Sequence, residues 1–176
     1  MNLKKRSLII SLAVISFLIL SSMIGVGLVK TNNRDGFEFT LDEEMTRKIA
    51  EDTEGMNCRE IVRYGLKATS KALNFSEKND LNNGSANCVG YAQMCSSICN
   101  YAFTLNKSSF RARPVVGYVT FCGINLCWIL HSLSPRRYKG LVKDHDFVEI
   151  DLGQGTLYFD PCLYDFHINA TTFIRK

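Results

Sequence analysis

From Ser7 to Val29 the chain reads SLIISLAVISFLILSSMIGVGLV, 23 residues without one charge, and no other feature constrains so strongly what can be built around it. As a helix rising 1.5 Å per residue, the run is long enough to cross a hydrocarbon layer of about 30 Å. A buried core helix of this length without a polar face would be exceptional. Signal peptides have a shorter apolar region and an A-x-A-like cleavage site, for which Gly25 and Gly27 are weak substitutes. The segment therefore reads as a single uncleaved transmembrane helix, with secretion after cleavage as the alternative. Lys4, Lys5 and Arg6 precede it and hold the N-terminus in the cytoplasm by the positive-inside bias. The expectation is a membrane partner through this helix and a domain after Lys30 that is extracytoplasmic, periplasmic or extracellular. The chain divides into an anchor over 1–30, a tether over 31–39 and one domain over 40–176.

The net charge of +4 comes from 21 Lys and Arg against 17 Asp and Glu. Setting aside the three basic residues ahead of the apolar run leaves 18 against 17 from residue 30 onward. A near-neutral domain cannot neutralise a row of phosphates, so nucleic acid is excluded as a partner. The roughly 140 residues beyond the anchor suit one domain with its own core.

Thr40 with Glu43 makes a capping-box signature that opens a helix over about 41–52. Asn57 with Glu60 repeats it, and Ile61, Val62, Gly65, Ala68, Ala72 and Leu73 then form an apolar face ending near Asn74. The turn signal Asn83-Gly84 precedes a third helix over roughly 88–103, capped by Ser85 or Asn87 and lined with small and apolar residues that mark it as buried. Tyr91, Phe103, Tyr118 and Phe121 fall on apolar faces and read as core. Beyond Lys107 come short runs rich in Val, Tyr, Phe, Thr and Ile at 112–121, 126–130, 147–151 and 156–159, which read as antiparallel strands. Pro114 suits an edge strand or a bulge. Helices followed by strands give an α+β domain, with N-terminal helices packed on an antiparallel sheet.

Seven cysteines stand at 58, 88, 95, 99, 122, 127 and 162. In an oxidising compartment they can form disulfides, and Cys122 with Cys127 suits a bridge across a hairpin. An odd number leaves one thiol over. No pair has the C-x₂-C spacing of structural zinc sites, so no metal is expected.

Cys88 follows an N-cap, where the partial positive charge of a helix N-terminus stabilises a thiolate. A nucleophilic thiol needs a base within hydrogen-bond reach and a third group to orient that base. His145 lies at the start of the 147–151 run. Asp160, in an Asp-Pro pair, closes the next one. If Gly153-Gln-Gly155 closes a hairpin, the two strands are neighbours and the two side chains can approach. His131 and His167 have no motif around them and read as structural or surface residues.

The string Asn87-Cys-Val-Gly-Tyr-Ala92 opening a helix, then Arg111-Ala-Arg-Pro-Val-Val-Gly-Tyr-Val119, His145-Asp-Phe-Val-Glu-Ile150 and Leu157-Tyr-Phe-Asp-Pro161, resembles the transglutaminase-like superfamily over about residues 57–165. That resemblance implies a papain-like core with Cys88 as nucleophile, His145 as general base and acid, and Asp160 orienting the imidazole. It also implies an enzyme that cleaves, deamidates or cross-links amide bonds of a protein or peptide substrate through a thioester, without a cofactor. The sequence departs from the family at Asp146, where a small residue is usual, at Pro114, and at Tyr158, near a frequent tryptophan.

Two other readings compete. Cell-wall cysteine peptidases of the NlpC type also pair a helix-initial Cys with a later His, but they usually show Asp-Cys-Ser-Gly at the nucleophile. A non-catalytic binding or assembly module on the same scaffold would hold Cys88 idle or in a disulfide.

Overall fold

The computed structural model describes residues 25–36, 39–125 and 145–176. In chain order the elements are β1 (Val26–Asn33), α1 (Glu43–Thr53), α2 (Cys58–Ala72), β2 (Asn74–Phe75), a 3₁₀ turn (Leu81–Asn83), β3 (Ser85–Ala86), α3 (Cys88–Leu105), β4 (Ala112–Phe121), β5 (Ile124–Asn125), β6 (His145–Asp151), β7 (Gly155–Phe159), α4 (Pro161–Asp165) and β8 (Thr171–Arg175).

The helices begin where side chains satisfy the orphan amides of the first turn. At α2, Asn57 Oδ1 accepts from Arg59 N and Glu60 N at 3.0 and 3.2 Å, while Glu60 Oε2 accepts from Asn57 N at 2.8 Å. This is the reciprocal capping box expected from the sequence. At α1 the cap is Asp42 rather than Thr40, with its Oδ1 accepting from Met45 N at 2.7 Å. The Asp42 carboxylate and the two glutamates that follow also complement the helix dipole. Ten residues of α3 are buried, so this helix is the spine on which α1, α2 and one face of the sheet pack.

The main sheet has the order β1-β4-β6-β7-β8, all antiparallel, with β5 added to β4. It curls into a half-barrel, so that its two outer strands meet where Leu28 N donates to Thr172 Oγ1 at 3.0 Å. Alternation along the strands sorts the side chains onto two faces. Val148, Ile150 and Phe159 join the core under the helices. Phe147 and Tyr158 turn the other way, into the curl, with Leu28 and Val115, and their rings meet edge-on at 5.7 Å.

This architecture corrects the expected transmembrane helix over Ser7–Val29. Among the described residues no helix is long and apolar enough to cross a membrane. Val26–Val29, the end of the apolar run, are strand instead, and residues 7–24 lie outside the described part. Two glycines and two valines make the Gly25–Val29 stretch a poor helix and a good strand. Leu28, only 1 % exposed, fills the curl, and the strand covers what would otherwise be an open edge of β4. The expected tether is corrected with it, since Thr31–Asn33 continue β1. Pro114 lies one position past the last β1–β4 pair, Asn33 with Val115. Its carbonyl faces that ended ladder, accepting from Arg34 N at 3.4 Å; the missing N–H costs no ladder bond there. Phe121 is not core: it is 40 % exposed at the end of β4. The strand expected at 126–130, and Cys127 and His131 with it, lie outside the described residues.

Candidate active site

Three local structures converge on one point. The first is the N-terminus of α3. Asn87 caps it, with Oδ1 accepting from Val89 N at 3.0 Å, and its own N–H donates to Asn79 Oδ1 at 2.8 Å, which pins the preceding loop to the helix end. Cys88 is the first helical residue and is half-buried. Its N–H, like the other leading amides of a helix, has no intrahelical acceptor. Gly90, two residues further, allows the loop to lie this close: a Cβ there would stand 2.7 Å from Ala86 Cβ and 2.9 Å from Asn79 Oδ1.

The second is the start of β6, where His145 pairs with Gly117 of β4. A Cβ at Gly117 would sit 2.0 Å from Val29 O, so the glycine of the Val-Gly-Tyr string is what lets β1 pass over this point. Asp146, next to the histidine, is fully buried and takes the guanidinium of Arg34, with Nε donating to Oδ2 at 2.7 Å. The departure from the family pattern at Asp146 thus has a structural use: it clamps the chain after β1 onto the first residues of β6.

The third is the junction of β7 and α4. The hairpin over Gly153-Gln-Gly155 forms, with Leu152 N donating to Gly155 O at 2.8 Å, and pairs Val148 with Phe159. Asp160 then follows at the ladder's end. Its Oδ1 accepts from Cys162 N and Leu163 N, both at 2.9 Å, and so caps α4, with Pro161 at the first helical position. Its Oδ2 lies against His145 Nε2 in a short hydrogen bond. One carboxylate therefore does both tasks.

All three expected residues are brought together. His145 and Asp160 are 8 % and 1 % exposed. Burial by itself favours the neutral imidazole. The charge of Asp160 and its hydrogen bond, with the hydrogen bond and charge of the neighbouring Cys88 added, outweigh it and push the His145 pKa up to about 10. With Nε2 committed to Asp160, Nδ1 is the ring nitrogen left for another partner. Cys162 is also near: burial first, then the negative charges of Asp160, Cys88 and Asp165, push its thiol pKa far up and keep it protonated. Burial raises Cys58 as well, and a hydrogen bond with Cys95 together with burial raises Cys99.

No protein-family model, no curated protein and no solved structure matches this chain. The site therefore rests on its own geometry. The six described cysteines, Cys58, Cys88, Cys95, Cys99, Cys122 and Cys162, are all free thiols, and among the described residues no group of three or more His, Cys, Asp and Glu is arranged to hold a metal.

Several contributors were not legible beforehand. Tyr91, one turn beyond Cys88 and fully buried, places its hydroxyl 2.7 Å from Asp165 Oδ2 and 3.1 Å from Leu73 O. It ties α3 to α4 and to the end of α2, and so fixes the helix that Cys88 opens against the helix that Asp160 caps. The sequence marks Tyr91 as core but carries no signal for Asp165 or Arg34, whose partners lie 74 and 112 residues away.

Proposed function

We propose that this chain is a cysteine enzyme of the transglutaminase-like kind, acting on amide bonds of a protein or peptide through a thioester on Cys88. The observation that carries this reading is the buried His145–Asp160 pair, with one carboxylate oxygen locked by two backbone amides and the other on the imidazole, set beside the thiol that opens α3. Nucleophile, base and orienting acid are the parts that activated-thiol chemistry needs.

In this mechanism the Cys88 thiolate attacks the amide carbonyl and the oxyanion is met by the Cys88 N–H. The His145 imidazolium gives its proton to the departing amine, so that the C–N bond breaks and a thioester remains. Water, or an amine, then attacks the thioester as the neutral imidazole takes its proton, and the acid or the new amide leaves while Cys88 regains the thiolate. Asp160 holds the ring in one orientation throughout.

The test is alkylation of the full chain with iodoacetamide from pH 5 to pH 9, with each cysteine followed by peptide mass spectrometry, beside the Cys88→Ala and His145→Ala variants. The expected result is labelling of Cys88 below pH 7 that vanishes in the first variant and slows at least tenfold, on the order expected for a lost base, in the second. A Cys88 that labels no faster than in His145→Ala would remove the catalytic reading.

A further inference from the structure

Nine large apolar side chains are exposed among the described residues, and three of them, Phe75, Phe166 and Ile168, belong to segments that flank the candidate site. Phe75 is the last residue of β2 and pairs with Ala86, two residues before Cys88. The Ser76 N–H fixes this segment by donating to Ala86 O at 2.8 Å. Phe166 ends the helix that Asp160 opens, and follows Asp165, which the Tyr91 hydroxyl holds one turn from Cys88. The two segments are thus tied to the start of α3, one through Ala86 and the other through Asp165 and Tyr91, and their aromatic rings meet edge-on with centroids 5.4 Å apart.

This pair is 37 % and 51 % exposed. Two rings that meet edge-on and are left open to water on a surface are unfavourable unless something covers them, and exposed aromatics carry binding energy where they adjoin a functional group. Each ring is held in place by the elements that build the site, Phe75 through the β2–β3 ladder and Phe166 through the α4 cap. The surface is therefore preformed and joined through these elements to the start of α3.

Resting on the reading of Cys88 as the nucleophile, we infer that Phe75 and Phe166 form the specificity subsite of this enzyme. They receive an aromatic or large aliphatic side chain of the substrate close to the amide that is attacked. The class of substrate is then a peptide segment with an apolar residue near the scissile or acylated bond, rather than an acidic or basic one.

Two alkylating probes separate this inference from the reading beneath it. Both transfer their methylene to the Cys88 sulfur, forming C–S, breaking C–I and releasing iodide. Iodoacetamide measures the thiolate alone, whereas N-(2-phenylethyl)iodoacetamide also offers a ring. On the full chain, the phenyl probe is expected to label Cys88 about tenfold or more faster than iodoacetamide, the discrimination an apolar subsite typically gives, and to saturate with concentration. Phe75→Ser and Phe166→Ser should each pull the ratio of the phenyl-probe rate to the iodoacetamide rate, both taken on the same variant, toward one. Phe173→Ser, an exposed ring on β8, should alter neither. A ratio near one in the wild type, or one that survives both substitutions, overturns the subsite. If instead plain iodoacetamide shows no His145-dependent labelling, the catalytic reading fails and the subsite falls with it.

Discussion

Asp160 divides its work between its two oxygens, and the division predicts how its substitutions differ. Asp160→Ala removes both the α4 cap, worth about 1 kcal/mol, and the charge on His145. Asp160→Asn keeps an oxygen for the Cys162 and Leu163 amides but removes the charge that holds the imidazole cationic. The folded pKa of His145, about 10, lies above its ordinary value of 6.5. The stability from charging it is then fully present below about pH 6.5 and is lost as the pH rises through about 10. Urea unfolding of wild type and Asp160→Asn from pH 6 to pH 10 should show a gap that is widest at the acid end and narrows upward. A gap that stays constant would mean that Asp160 does not hold His145 as a cation. At pH 6 the same variant should alkylate Cys88 at least tenfold more slowly, on the order expected when the imidazolium partner is lost.

At the scale of elements, α2 and α3 are both opened by an asparagine cap, yet only one of the two caps serves the site. Asn57→Ala and Asn87→Ala should each lower the unfolding free energy by about 1 kcal/mol, seen as a shift in the urea midpoint at unchanged slope. They should differ in chemistry. Asn57 starts a helix whose role is packing, so its loss leaves Cys88 labelling as it was. Asn87 sets the first turn in which Cys88 sits and joins it to Asn79, so its loss should slow labelling several-fold. Equal labelling in the two variants would mean that the cap of α3 is only structural. The α2 cap was legible, and the α3 cap was narrowed to Ser85 or Asn87, because a cap is a local contact between residues two or three apart. At α1 the cap lies two residues beyond Thr40: Thr40 with Glu43 matches the capping-box pattern, but Asp42, a stronger acceptor next to two glutamates, caps the helix without a box.

For the whole molecule, the curl of the sheet makes β1 part of the fold rather than a lead-in to it. Leu28 packs inside the half-barrel, its amide bonds Thr172 across the gap, and Arg34 just beyond β1 neutralises the buried Asp146 beside the site. A chain that begins at Thr31 loses Val26–Lys30, the Leu28 side chain alone being worth about 2–5 kcal/mol. That is a large share of a domain's stability, typically about 5–15 kcal/mol, and it also bares the edge of β4. Thermal unfolding followed by circular dichroism should therefore be cooperative for a chain beginning at Gly25, and weakly cooperative or aggregating for one beginning at Thr31. Equal melting of the two would show that β1 is dispensable.

The sequence by itself determined what depends on near neighbours. The capped helices α2 and α3, the strands β4, β6 and β7, the Gly153–Gly155 hairpin and the order in which Cys88, His145 and Asp160 arrive all follow from caps, alternation and turn residues within a few positions of one another. Only the tertiary structure decided the strand at Val26–Asn33, because an apolar run is compatible with a helix or a strand and the open edge of β4 chooses between them. It also decided the Arg34–Asp146 pair, the Tyr91 tie to Asp165 and the meeting of Phe75 with Phe166. Each joins residues far apart in the chain, and no periodicity or local propensity records which distant side chains will share a surface once the sheet has curled.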